Sequence, residues 1–92
     1  MIESEKVIEK KLVAEVKELG GWCIKILSTL ISGLPDRLIL LPGGRIYFVE
    51  LKSSGKKATP IQAYVHNKIR ALGFTVLVID TKEKVNNFIN SL

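Results

Sequence analysis

Ninety-two residues, 47% of them hydrophobic and 25% charged, give a globular composition that is neither disordered nor fibrous, with room for one core and so one domain spanning 1–92. The single cysteine, Cys23, excludes an intrachain disulfide framework and a cysteine-rich zinc site, and points to a reducing, intracellular setting; no membrane span or signal-peptide core is expected. Fourteen Lys and Arg against nine Asp and Glu leave a net charge of +5, a modest lean toward an anionic partner such as nucleic acid.

In chain order, Ile8, Leu12, Val16 and Leu19 recur every three or four positions with Ile2 and Val13 beside them, so residues 2–19 read as an amphipathic helix stopped by Gly20-Gly21. Residues 22–27 are β-prone, and a Gly- and Pro-bearing loop follows from Ser28 to Pro35. Residues 37–41 and 46–52 flank Pro42-Gly43-Gly44-Arg45, which predicts an antiparallel hairpin. After a basic loop from Ser53 to Ala58, Thr59 as N-cap and Pro60 in the first turn open a helix to about Leu72, stopped by Gly73. Residues 74–79 form a nearly continuous apolar strand suited to cover on both faces. Thr81 caps a last helix with Val85, Phe88, Ile89 and Leu92 on one stripe. The order α-β-β-β-α-β-α predicts an α/β fold, a mixed four-stranded sheet flanked by helices, with the third and fourth strands parallel across the helical crossover.

Several polar residues sit where apolar ones are expected. Projected at about 100° per residue, Glu9 falls inside the apolar arc of the first helix. Glu5 is nearly as central, but close enough to the helix start to escape to water. On strand three, Glu50 and Lys52 project from the same face as Phe48, in a run otherwise fit for burial. Gly33-Leu34-Pro35-Asp36 delivers another carboxylate where a rigid turn feeds strand two. Glu9, Asp36 and Glu50 could supply hard oxygen ligands to Mg²⁺ or Mn²⁺, with Lys52 orienting or helping to deprotonate the attacking water beside a phosphate.

That convergence carries a geometric condition. A two-residue turn over Gly43-Gly44 pairs Pro42 with Arg45 and sets Asp36 and Glu50 on opposite sheet faces. A three- or five-residue connection, or a kink at Pro35-Asp36, is therefore expected. Around the cluster, Gln62 reads either as the third residue of a capping box or as a contact to the phosphate or to a water in the site. His66, one turn further along that helix face, reads as a surface residue able to reach the phosphate backbone. Lys25 alternates with Cys23 and Leu27 and is a candidate to look onto the site, while Lys56 and Lys57 are placed for phosphate contacts without sequence readout.

The stretches Ile8-Glu9-Lys10-Lys11-Leu12, Gly20-Gly21, Gly33-Leu34-Pro35-Asp36-Arg37-Leu38, Phe48-Val49-Glu50-Leu51-Lys52, Thr59-Pro60-Ile61-Gln62 and Leu72-Gly73-Phe74 closely resemble the VRR-NUC family, virus-type replication-repair nucleases of the PD-(D/E)xK superfamily, in its compact stand-alone form. The resemblance spans nearly the whole chain and implies a restriction-endonuclease-like core that hydrolyses DNA phosphodiester bonds with Mg²⁺ or Mn²⁺. It carries over Glu9, Asp36 and Glu50 as acidic metal-site residues, the Leu51 carbonyl as a further ligand, and Lys52 and Gln62 as the family's lysine and glutamine. It also implies a homodimer cutting branched DNA in the manner of Holliday junction resolvases, in a phage- or prophage-encoded, cytoplasmic setting. Two other readings compete: a less selective or flap-directed nuclease, and a non-catalytic DNA-binding or assembly module whose acidic cluster is structural.

Overall fold

The computed structural model describes residues 2–92. Its elements follow the expected order: α1 (Glu5–Glu18), β1 (Trp22–Lys25), β2 (Arg37–Leu41), β3 (Arg45–Leu51), α2 (Pro60–Ala71), β4 (Thr75–Ile79) and α3 (Lys82–Asn90). Each helix starts at a hydroxyl cap, with Ser4, Thr59 and Thr81 accepting from Val7, Gln62 and Lys84 respectively. The Ser4 cap moves the start of α1 three residues beyond the apolar Ile2, which is exposed.

The sheet order is β1-β2-β3-β4, antiparallel except for the parallel β3–β4 pair that the α2 crossover creates. Alternation divides its side chains between two covers. Ile39, Leu41, Val49, Leu51 and Ile79 point to one face and form a buried apolar core with Ile8, Leu12 and Val16 of α1 and Val85 and Phe88 of α3. Phe48, Glu50 and Val76 point to the other, where α2 packs. β4 has helices on both sides, as its apolar run anticipates, although it forms a sheet edge.

The hairpin closes through three residues. Leu41 pairs with Arg45 and Arg37 with Val49, so the connection is Pro42-Gly43-Gly44, with both glycines at positive φ. One step beyond the last pair, the same register sets Asp36 opposite Glu50 and on its face. The odd-numbered connection expected from the sequence is the one observed. Pro42 is a physical reason for it: closing a two-residue Gly43-Gly44 turn would put Pro42 in a ladder position whose N–H a proline lacks.

Candidate active site

Asp36, Glu50, Lys52, Gln62 and His66 come together between the ends of β2 and β3 and the first turns of α2. Asp36 is delivered by the loop before β2. There, Gly33 at φ +89° passes so close to α2 that an added Cβ would lie 2.8 Å from the Ile61 carbonyl oxygen, an approach open only to glycine. Asp36 Oδ2 then accepts the Leu51 amide at 2.7 Å, which joins the two strand ends by a charge-assisted hydrogen bond.

Glu50 is 2% exposed and has cationic or polar neighbours on both oxygens. Its Oε2 lies 3.6 Å from Lys52 Nζ and 3.4 Å from Gln62 Nε2, and its Oε1 lies 3.5 Å from His66 Nε2. Burial, reinforced by the negative charge of Asp36 and a hydrogen bond to it, pushes the Glu50 carboxyl up to about 8, against the opposing pull of Lys52. Two carboxyl groups this close cannot both ionise cheaply without a proton or a cation between them. The donor chemistry fits a hard divalent ion: Asp36, Glu50 and the Leu51 carbonyl offer oxygen only. In an extended strand the N–H and C=O of one residue point the same way, so the Leu51 carbonyl faces the side on which its amide meets Asp36.

Gln62 forms the expected capping box and also reaches Glu50. Its Oε1 accepts from the Thr59 amide at 2.9 Å and its own amide donates to Thr59 Oγ1 at 3.3 Å, the reciprocal pair of a capping box. Its Nε2 remains free to donate to Glu50. The cap thus fixes the side chain that fixes the carboxylate.

Three placements differ from expectation. Glu9 does not join the cluster: its Oε2 accepts from Arg37 Nε at 3.0 Å. Among the described residues no three His, Cys, Asp or Glu side chains gather closely enough to hold an ion. The reason is topological, because Arg37 pairs with Val49 and so projects toward α1, opposite to Glu50. Arg37, which also donates to the Cys23 carbonyl at 3.2 Å, carries no signal in the periodicity, because helix projection identifies an arc and not the partner facing it. Lys25 pairs with Arg37 and therefore shares its face, away from Glu50. His66 is 1% exposed instead of lying on the surface, and burial, together with the nearby Arg70 and Lys52 cations, pushes its pKa down. The signal for it was its spacing of one helical turn from Gln62. Lys56 and Lys57 are exposed on the loop after β3, as expected. That loop is pinned where the Gly55 amide donates to Asp80 Oδ2 at 3.1 Å.

No helix among the described residues is long and apolar enough to cross a membrane, and no family model matches the chain. It is 47% identical over 79 residues, covering 86% of this chain and 85% of its relative, to a protein named "Putative nuclease p44" from Acyrthosiphon pisum secondary endosymbiont phage 1. It superposes on a solved structure named "VRR_NUC domain" with a TM-score of 0.88 and 31% identity, covering 96% of this chain and 97% of the other. Over nearly its full length, in sequence and in fold, the chain belongs to the VRR-NUC family of nucleases.

Proposed function

We propose that this protein is a Mg²⁺- or Mn²⁺-dependent endonuclease that acts as a homodimer on branched DNA, four-way junctions above all. The observation that carries the reading is the Asp36–Glu50 pair, its Glu50 buried and its Asp36 partly so, with Lys52 beside it, a combination that by itself costs stability and has a use once an ion and a phosphate are present. Asp36, Glu50 and the Leu51 carbonyl would hold the ion. Glu9 is assigned to Arg37, the residue that follows Asp36.

A bound divalent ion would polarise the scissile phosphate and make the attacking water easier to deprotonate. The chain's own groups do the rest. Lys52, only partly exposed, places an ammonium where charge grows on the phosphate and where the water can be oriented. Gln62, locked by the helix cap, keeps Glu50 in place. The net charge of +5 and the exposed Lys56 and Lys57 favour backbone contacts, which position DNA without reading its sequence.

The dimer is supported by an apolar groove on the outer side of α2, lined by Leu30, Ile31, Leu34, Ile61, Tyr64 and Leu72. Leu30 in this groove is 95% exposed. Apolar surface gathered in this way marks an association face, and a two-fold axis would offer two cutting sites to two opposed strands.

The test is a panel of labelled linear, flap, fork and four-way DNAs incubated with Mg²⁺, Mn²⁺ or chelator, with mass in solution read by light scattering. Metal-dependent cutting favouring the junction, by a dimer, is expected. Cutting that ignores the chelator would reject the metal; equal cutting of all substrates would reject the branch preference; a monomeric mass at assay concentration would reject the dimer.

A further inference from the structure

Helix α2 meets Glu50 in two places. Gln62 Nε2 approaches Oε2 at 3.4 Å, and one turn further along, His66 Nε2 approaches Oε1 at 3.5 Å. Neither Oε1 nor His66 Nε2 has a hydrogen-bond partner, their mutual approach being too long for one, and both are shut off from solvent. Buried polar atoms are rarely left alone, and here two lone ones face each other. A neutral imidazole carries a single N–H. Placed on Nε2, it points a donor at the Oε1 that lacks one, and a small closing of the 3.5 Å gap would satisfy both atoms.

Lys52 and Gln62 both act on Oε2. A glutamate carboxylate turns in a broad, two-fold terminal well, so partners on one oxygen restrain it weakly and a partner on the other oxygen sets its plane. We propose that His66 is a positioning residue: its Nε2–H holds Oε1 while Gln62 holds Oε2, so that α2 grips Glu50 at both oxygens and aims the carboxylate at the position shared with Asp36. This rests on the nuclease reading above, and goes beyond it by giving a role to a histidine that touches neither substrate nor ion. It acts on the geometry of a ligand, as outer partners of metal-binding side chains do.

Three proteins decide the matter: the parent, His66→Leu, which keeps apolar volume but removes the donor, and His66→Gln, whose amide restores a donor at similar reach. Mn²⁺ binding is measured by calorimetry without DNA, and kcat and KM are measured on a four-way junction. His66→Leu is expected to weaken Mn²⁺ binding and lower kcat by about 10-fold each, leaving KM nearly unchanged, and His66→Gln is expected to recover most of both losses. Parent-like behaviour of His66→Leu, a loss confined to KM, or equal impairment of the two variants overturns the proposal.

Should His66→Leu fail to fold, long-range proton–nitrogen spectra of the metal-free parent decide instead. A neutral ring protonated at Nε2 supports the assignment, and one protonated at Nδ1 overturns it. A parent that neither binds Mn²⁺ nor cuts DNA rejects the nuclease reading and the inference with it. A parent that cuts, with variants that match it, rejects the inference alone.

Discussion

The two faces of the sheet are built from the same strands and do different work. Toward α1 and α3, Ile8, Leu12, Val16, Val49 and Val85 are fully buried and apolar, so that side contributes hydrophobic stability. Toward α2, Glu50 and His66 are equally buried but polar, with orphaned atoms facing each other, an arrangement that subtracts stability and is kept for chemistry. Because neighbouring residues of β3 serve opposite faces, stability and activity are separable by substitutions one residue apart.

The comparison breaks most sharply at Asp36 and Glu50. Asp36→Asn or Glu50→Gln should reduce junction cleavage to background while gel-shift affinity stays near that of the parent and the unfolding midpoint falls no lower than the parent's; cleavage by either variant would remove its carboxylate from the site. On the opposite face, Leu12→Ala should cost about 2–5 kcal/mol in chemical denaturation, with kcat per folded molecule retained. A parallel loss of kcat would mean that the faces are coupled.

Acidity sharpens the contrast. With its folded pKa raised to about 8 from an ordinary value of 4.5, Glu50 binds its proton more tightly when folded. Its stabilising contribution is full below the ordinary value and is lost as pH rises toward 8. Metal-free protein should therefore lose stability steadily between these limits, and Glu50→Gln, which mimics the protonated form, should flatten the profile. An unchanged slope in that variant would assign the pH dependence elsewhere. Smaller again, Thr59→Ala should cost about 1 kcal/mol through the lost cap and should also lower kcat by loosening Gln62; a loss of stability alone would disconnect the cap from the site.

Much of this arrangement was legible in the sequence because it follows from periodicity. The position of Asp36 across from Glu50 followed from strand alternation once the hairpin was required to close over an odd number of residues. Glu50 and Lys52 stood out because alternate charges interrupt an apolar run. What stayed hidden were relations between elements. The apolar arc of α1 contains Glu9, yet the arginine that receives it sits on another element. Alternation placed Lys25 on a face with Cys23 without revealing which helix covers that face. His66 is one of several polar residues on α2, and only the packing of that helix on Glu50 buries it.

The three-residue hairpin has a consequence at the other end of its strands. Residues 38–41 of β2 are apolar at every position, so a slipped alignment would also bury greasy side chains, and composition alone penalises it little. Pro42 guards against that slip. Replacing it with a residue that has an N–H would let the Gly-Gly tip close more tightly, giving a heterogeneous protein in which an inert conformer exchanges with the competent one, recognisable by doubled resonances well away from the exchanged residue. An exposed proline outside the site would then govern what fraction of the molecules is able to cut.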